Sequence, residues 1–240
     1  MDMSDKGTVI ILAGGNGARM KSSVPKQHLK VHNHQIIEYT LMSFSASHRI
    51  KDIMIVSNPT YINEVIKLSQ NFPKVKRIIS GGKTRSLSTY NAIDELKDVT
   101  DDDDKIIISD AARPCIRISE INKVMDALDE YRVVTTGVEV YETILRTNDR
   151  NLEEIIQRDG VFRQTSPEGY RFSVLRELYI DRPMETVSNY NNIGIDQMFE
   201  SKEKIGIIAS SPLNFKITTP EDISLFESVI KQGFYTFIRS

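Results

Sequence analysis

The sequence contains a single cysteine, Cys115, and no apolar run of the length that a membrane-spanning helix requires. One cysteine excludes an intramolecular disulfide framework, and it also excludes the thiolate clusters of structural zinc sites. The N-terminal residues lack the basic region and the apolar stretch of a secretory signal. We therefore expect a cytoplasmic protein that has no membrane partner.

A strong charge of either sign is also missing, because 31 Lys and Arg residues nearly balance 33 Asp and Glu residues and leave a formal net charge of −2. This composition gives no basic footprint for nucleic-acid binding, but it is compatible with a local basic site for a phosphorylated small molecule. The apolar fraction of 40% and the charged fraction of 27% are ordinary for a globular protein. We expect one domain over residues 1–240 that binds small anionic substrates and no nucleic acid.

Short apolar runs alternate with helix-like segments through the first half of the chain. The apolar runs are 8–12, 53–56, 106–108 and 133–134, and the helix-like segments are 36–46, 61–70, 85–96 and 118–131. This alternation predicts an α/β fold with a mostly parallel sheet, helices on both faces and ligands at the carboxyl ends of the strands. The alternation lapses from about residue 139 to residue 170, and the sequence leaves open whether this segment is an arm, a lid or a dimer contact.

A glycine-rich loop follows the first apolar run. Glycines allow positive φ and let backbone N–H groups approach phosphate oxygens. Met20 stands where the dinucleotide fingerprint and the Walker A pattern each require a glycine, which disfavours an NAD-dependent enzyme and a P-loop NTPase. Three cations, Arg19, Lys21 and Lys26, follow in the same loop. Three positive charges beside a glycine turn suit a triphosphate.

The order Ala-Gly-Gly-x-Gly-x-Arg-Met at 13–20, with Pro-Lys-Gln at 25–27, resembles the signature of sugar-nucleotide transferases. Within them, the chain is most similar to the cytidylyltransferases that act on methylerythritol phosphate or ribitol phosphate. Further segments that resemble this family follow in the family's order, at 81–88, 109–115, 142–158 and 214–222. The resemblance therefore spans nearly the whole chain.

The resemblance implies a Rossmann-like, mixed and mostly parallel sheet of the nucleotide-diphospho-sugar transferase type, with a protruding arm. It also implies a Mg²⁺-dependent reaction in which CTP and a small polyol phosphate give a CDP-polyol and diphosphate. Residues 139–165 are expected to serve as the arm through which a homodimer forms.

Individual roles also follow from the resemblance. The catalytic residues would stabilise negative charge on the transferred phosphate, and they are Arg19, Lys26 and Lys216. The CTP-binding residues would be Ala13, Gly14, Gly15, Asn16, Gly17, Gly81, Gly82, Ser88 and Asp110. Asp110 is also expected to contact Mg²⁺. The acceptor phosphate would be bound by Arg113, Thr143 and Arg158, since the planar fork of arginine suits phosphate.

The sequence departs from the family pattern mainly on the acceptor side. Ser109 replaces a histidine, Glu142 an aspartate, Leu145 a lysine and Glu168 a glutamine, and residues 187–196 replace a Thr-Asp-(Asp/Glu)-Ala motif. That motif contributes to acceptor recognition in the family. We therefore expect D-ribitol 5-phosphate, or a related polyol phosphate used for capsule or teichoic-acid-like polymers, in preference to 2-C-methyl-D-erythritol 4-phosphate of isoprenoid synthesis.

Other interpretations stay open at this point. A sugar-1-phosphate nucleotidyltransferase that uses UTP or dTTP would share the glycine loop. The departures at Ser109 and Asn189 would also suit a catalytically inactive nucleotide-binding regulator. Arg85 belongs either to the Gly-Gly-x-x-Arg-x-x-Ser motif or to the helix surface, and Cys115 is expected to be buried packing because no histidine lies nearby in the sequence.

Overall fold

Strands and helices alternate along the chain in the computed structural model, which describes residues 5–15, 17–20, 22, 24–189 and 194–233. The strands are β1 (Gly7–Ala13), β2 (Lys30–Val31), β3 (His34–Gln35), β4 (Ile50–Ser57), β5 (Val75–Ser80), β6 (Lys105–Asp110), β7 (Val133–Glu139), β8 (Ile144–Asn148), β9 (Asn151–Ile156), β10 (Phe162–Arg171) and β11 (Ile205–Ala209). The helices are α1 (Ile36–Ala46), α2 (Ile62–Ser69), α3 (Arg85–Leu96), α4 (Ile118–Ala127), α5 (Phe172–Tyr179), α6 (Met184–Asn189), α7 (Ile195–Glu200) and α8 (Pro220–Lys231).

Seven of these strands form one sheet in the order β11-β7-β10-β6-β1-β4-β5. All its strand pairs are parallel except those of β10, which runs antiparallel to β6 and to β7. The mixed, mostly parallel sheet is therefore confirmed. The register pairs Leu12 of β1 with Asp110 of β6 and Ala13 with Ser57 of β4, so the carboxyl ends of these strands meet at one edge.

Helices cover both faces of the sheet because the central strands are apolar on both sides. Val9 and Ile11 of β1 belong to a buried cluster that contains residues of α1 and α4. Ile10 belongs to a second cluster, which contains residues of α3 and α5. Fully buried strands with two apolar faces are typical of parallel sheets, as the sequence indicated. None of the helices in the described part of the chain is both long enough and apolar enough to cross a membrane.

The predicted helix bounds agree closely at 36–46 and 85–96, which are α1 and α3. The predicted helix at 118–131 was too long, because α4 ends at Ala127 and the chain then turns. In this turn the Asp129 carboxylate lies 2.6 Å from Lys105 Nζ at the start of β6. Cys115 is fully buried and its pKa is raised to about 12 by burial, which confirms a packing role.

Residues 139–165 contain a hairpin in which β8 and β9 pair antiparallel. Asp149 and Arg150, between the two strands, both have positive φ, as a type I′ hairpin turn requires. Most side chains of the hairpin are exposed. Of the interpretations left open by the sequence, the structure supports an arm.

The contact between β10 and α4 leaves no room for a side chain at Gly169. A Cβ at this position would lie 2.7 Å from Val124 Cγ1 and 3.1 Å from Leu128 Cδ1. We expect Gly169→Ala to lower the free energy of unfolding by about 1–3 kcal/mol through overpacking. Thermal denaturation should show this as a melting temperature lower by roughly 2–4 °C per kcal/mol.

The control for this prediction is Val99→Ala, because Val99 is 64% exposed and its truncation should change stability by about 0.5 kcal/mol or less. An unchanged melting temperature for Gly169→Ala would contradict the packing of α4 against β10.

Candidate active site

A cavity of about 400 Å³ opens at the carboxyl ends of β1 and β6. Its position is where parallel α/β sheets bind their ligands. The predicted site residues that line it are Gly14, Gly15, Gly17, Arg19, Lys26, Gly82, Ser88, Asp110 and Lys216.

The glycine loop forms one wall of the cavity and is held from behind by Gln27. The Gln27 side-chain amide is buried, and its Nε2 donates hydrogen bonds to Ala13 O at 2.7 Å and to Gly15 O at 2.9 Å. Gly17 has a φ of +65°, and a Cβ there would lie only 3.1 Å from Lys26 N. Gln27 was not predicted as a site residue, although its place in Pro-Lys-Gln was a signal.

Ala13 is almost fully buried and supports the loop through its carbonyl group instead of lining the cavity. Asn16 and Lys21 lie outside the described residues.

A buried carboxylate surrounded by cations forms the floor of the cavity. Asp110 Oδ2 lies 3.0 Å from Lys216 Nζ and 3.2 Å from Arg113 Nε. Burial by itself would raise the pKa of Asp110, but Lys216, Arg85 and Arg113 outweigh it and hold the pKa well below its usual range. Asp110 is therefore ionised at neutral pH, and it offsets only part of the surrounding positive charge.

The cations around Asp110 also affect the pKa of Lys26. It lies in a short 3₁₀ turn after Pro25, and its side chain is half-buried at the cavity. Burial and the nearby charge of Lys216 lower the pKa of Lys26 to about 8, against the opposing effect of Asp110. A site that lowers the pKa of a lysine in this way favours a strongly anionic ligand.

A second glycine pair forms the opposite wall, before α3. Ser88 Oγ accepts a hydrogen bond from Gly82 N at 3.1 Å and donates one to Thr84 O at 2.9 Å. A Cβ on Gly82 would lie 2.5 Å from Leu87 Cβ, so this wall requires a glycine. The two glycine loops approach each other closely, because a Cβ on Gly14 would lie 3.6 Å from Ser88 Oγ.

Arg113 lies behind Asp110 and is buried, and it supports the floor without lining the cavity. Its Nη1 donates to Asn214 O at 2.9 Å, two residues before Lys216. Asn214 Nδ2 in turn donates to Ser166 O at 2.8 Å. The predicted acceptor contact of Arg113 stays a prediction.

Ser109, which stands where the family has histidine, takes part in the same framework. Its hydroxyl is buried and lies 3.3 Å from Ser166 Oγ, which also accepts a hydrogen bond from Asp110 N at 3.3 Å. The buried hydroxyl of Ser109 therefore has a hydrogen-bond partner in Ser166.

Thr143 and Arg158 lie on the exposed arm and do not line the cavity of their own chain. Arg158 Nη1 donates to Tyr141 O at 2.6 Å. Their predicted roles in acceptor binding stay predictions. Of the divergent segment 187–196, residues 190–193 and the side chain of Asn189 lie outside the described part of the structure.

The cavity suits a magnesium ion that arrives with a triphosphate. Among the described residues, Asp110 is the one carboxylate that lines it, and no group of three His, Cys, Asp or Glu side chains could hold a metal ion alone. Mg²⁺ is usually held by one or two carboxylates together with substrate phosphates. The donor set therefore fits a shared ion with Asp110 as its protein ligand.

A family model described as 2-C-methyl-D-erythritol 4-phosphate cytidylyltransferase matches residues 8–232. The chain belongs to this family. It is 31% identical over 236 residues to a 2-C-methyl-D-erythritol 4-phosphate cytidylyltransferase of Lachnoclostridium phytofermentans, with 95% of this chain and 97% of the relative covered. It is also 31% identical to the bifunctional ribulose 5-phosphate reductase/CDP-ribitol pyrophosphorylase Bcs1 of Haemophilus influenzae, with 98% of this chain and 50% of that relative covered.

Solved structures share the fold. The 4-diphosphocytidyl-2C-methyl-D-erythritol synthase of Anaerococcus prevotii has a TM-score of 0.79 at 23% identity, with 95% of this chain and 97% of that one covered. The cytidylyltransferase of Francisella tularensis has a TM-score of 0.76 at 22% identity, covering 93% and 99%. The predicted family and fold are confirmed, and the chain is a nucleotidyltransferase of the cytidylyltransferase type.

The lowered pKa of Lys26 should make nucleotide binding depend on pH. The ammonium group is charged below its pKa of about 8 and neutral above it. The dissociation constant of CTP should therefore rise above pH 8, by up to about tenfold per pH unit for a single group. Isothermal titration calorimetry between pH 6.5 and 9.5 measures this directly.

The matched variant is Lys26→Arg, because guanidinium stays charged over that range and should remove the pH dependence. Two results would contradict this assignment. One is a wild-type affinity for CTP that stays constant with pH, and the other is an affinity of Lys26→Arg that falls above pH 8 as much as that of the wild type.

Proposed function

We propose that the protein transfers the cytidylyl group of CTP to 2-C-methyl-D-erythritol 4-phosphate and releases diphosphate. The observation that carries the proposal is the cavity between the two glycine loops, which is lined by Arg19, Lys26 and Lys216 and by Asp110, whose Oδ2 lies 3.0 Å from Lys216 Nζ. The sequence placed ribitol 5-phosphate first among acceptors. The comparisons support methylerythritol phosphate better, because the matched family model and the Lachnoclostridium relative both carry that acceptor in their names.

In the proposed reaction, a phosphate oxygen of the acceptor attacks the α-phosphorus of CTP in line with the leaving diphosphate. The new P–O bond forms as the bond between the α-phosphorus and the bridging oxygen breaks, and the electron pair leaves with diphosphate. A phosphate monoester is already anionic near neutral pH, so no protein base is needed, and the chain contributes positioning and charge stabilisation.

Lys26 and Lys216 would stabilise the negative charge that develops on the α-phosphate oxygens. Lys216 is oriented for this by Asp110, whose Oδ2 is 3.0 Å from its Nζ. Arg19 lines the cavity beside the glycine loop, where the outer phosphates of CTP would lie. Mg²⁺ held by Asp110 would offset part of the triphosphate charge.

Ribitol 5-phosphate is the second candidate acceptor. The Haemophilus relative is named a CDP-ribitol pyrophosphorylase and aligns with 98% of this chain at the same 31% identity. The departures at Glu142 and Leu145 flank Thr143, the predicted acceptor-binding residue of the arm. These substitutions favour an acceptor other than methylerythritol phosphate.

Diphosphate release from CTP and Mg²⁺ should distinguish the acceptors. We expect 2-C-methyl-D-erythritol 4-phosphate to give a higher kcat/KM than ribitol 5-phosphate or the glycerol phosphates. Lys216→Ala should lower kcat by about 10²–10³-fold, because it removes a charge that stabilises the transition state. Lys97→Ala is the matched control, since Lys97 pairs with Asp94 on the exposed surface of the protein.

A higher kcat/KM with ribitol 5-phosphate would instead support the second candidate. No diphosphate release with any polyol phosphate would contradict both candidates and favour the nucleotide-binding regulator.

We propose further that the arm forms a homodimer. Leu145 and Ile155 are directly opposite each other in the β8–β9 hairpin and are 55% and 57% exposed, so they form an apolar pair on one face. Thr143 and Arg158 do not line the cavity of their own chain. In this proposal, they contact the acceptor in the cavity of a second copy.

Leu145→Glu should convert the dimer into a monomer, which sedimentation velocity would measure. Because the arm residues would then leave the acceptor site, the KM of the acceptor should rise by about tenfold or more while that of CTP stays the same. Val99→Glu, at a position 64% exposed, is the control for an added surface charge. A monomeric wild-type protein at micromolar concentration would contradict the proposal.

A further inference from the structure

Arg85 and Glu168 form an ion pair at the inner wall of the cavity. Arg85 Nη2 lies 3.7 Å from Glu168 Oε1. The Arg85 side chain lines the cavity and is 27% exposed, whereas that of Glu168 is only 6% exposed. Arg85 is therefore a cavity residue and not the helix-surface cation that the sequence left open.

Glu168 is fixed by more than Arg85. Tyr170 donates its hydroxyl to Glu168 Oε2 at 2.8 Å, and Gln164 Nε2 donates to Oε1 at 3.3 Å. Burial raises the pKa of Glu168, and Arg85 opposes that rise. A buried ion pair often stabilises a protein no better than apolar side chains of similar size. Stability alone thus gives little reason for an arginine and a glutamate at this place.

The sheet places Glu168 and Asp110 on the same face. Glu168 pairs with Ile108 across β10 and β6, and Asp110 lies two residues further along β6. Residues two apart in a strand point to the same side, so Arg85 interacts with both carboxylates. The ion-pair partner of Arg85 is Glu168, at 3.7 Å, whereas Lys216 and Arg113 pair with Asp110 at 3.0 and 3.2 Å. Arg85 thus has a carboxylate partner of its own, Glu168, in the cavity that it shares with the cations assigned to the triphosphate.

Arg85 closely follows, in the sequence, the glycine pair that forms the second wall of the cavity. Arg85 is the first residue of α3, and Gly82, Lys83 and Thr84 directly before it line the cavity, as does Ser88 one turn later. Thr84 Oγ1 accepts a hydrogen bond from Leu87 N at 3.1 Å and fixes the start of the helix. Guanidinium carries five N–H donors, and the carbonyl and ring nitrogen of cytosine and the ribose hydroxyls are hydrogen-bond acceptors.

We propose that Arg85 is a further substrate-binding residue, which donates hydrogen bonds to the nucleoside half of CTP, and that Glu168 is the positioning residue that holds it. The inference rests on the proposed function only in that CTP is the nucleotide. It does not depend on the identity of the acceptor.

Binding of CTP and of inorganic tripolyphosphate, both with Mg²⁺, separates the two halves of the nucleotide. By isothermal titration calorimetry, Arg85→Gln should weaken CTP binding on the order of tenfold, the value of a hydrogen bond to a charged group. Its affinity for tripolyphosphate should equal that of the wild type. Arg85→Lys, which keeps the charge without the planar fork, should recover part of the CTP affinity.

Glu168→Gln tests the positioning role. It should weaken CTP binding less than Arg85→Gln does, and the double variant Arg85→Gln/Glu168→Gln should bind CTP no more weakly than Arg85→Gln alone. Such non-additivity is expected when one residue acts through the other. The double variant removes both charges of the ion pair. If either single variant fails to fold, the CTP affinity of the double variant is compared with that of the wild type instead.

The matched control is Arg77→Gln. Arg77 lies in β5 and forms an ion pair at 3.9 Å with Glu95, which belongs to α3 as Arg85 does, but Arg77 does not line the cavity. Thermal denaturation of every variant separates loss of fold from loss of binding. Wild-type affinity for CTP in folded Arg85→Gln, or an equal loss of tripolyphosphate affinity, would overturn the inference. A wild-type protein that does not bind CTP would overturn the proposed function as well.

Discussion

The site depends on one buried negative charge. Asp110 stands at the end of β6 with Lys216 Nζ at 3.0 Å and Arg113 Nε at 3.2 Å, and Arg85 acts on it from the side of α3. Without this carboxylate, the cations would repel one another in a cavity that is partly shielded from water. Because their segments are far apart in sequence, Asp110 also links α3 and the loop that carries Lys216 to the centre of the sheet.

The negative charge of Asp110 does not fully neutralise the positive charges around it. One carboxylate cannot neutralise Arg113, Lys26 and Lys216 together, and burial together with the remaining repulsion from Lys216, Arg19 and Arg113 lowers the pKa of Lys26. An anionic ligand would offset this repulsion, so the arrangement of charges favours the binding of a triphosphate. Charge stabilisation of this kind is also strongest in the transition state, where negative charge on the transferred phosphate is greatest.

Local features of the fold could be predicted from the sequence, and non-local ones could not. The glycine loop, α1 and α3 carry their signals in adjacent residues, and the structure places them as expected. The antiparallel strand β10 was missed because its buried stretch contains Thr165, Ser166 and Glu168, which read as polar loop sequence. Thr165 and Ser166 are tolerated inside because Thr136 and Ser109, from distant segments, hydrogen-bond to them, and no sequence window shows such partners. For the same reason, the place of Arg85 at the cavity could not be predicted.

The position of β10 also bears on how the sheet is assembled during synthesis. β6 and β7 are consecutive strands, yet they do not pair with each other, because β10 lies between them and is made after the whole arm. Until residues 162–171 have emerged, the apolar run Ile106–Ile107–Ile108 has an unpaired edge, which is a template for pairing with other chains. The arrangement that brings Glu168 to the active site therefore leaves a central strand of the nascent chain open to misassembly, and a chain stopped before Phe162 would keep that edge open.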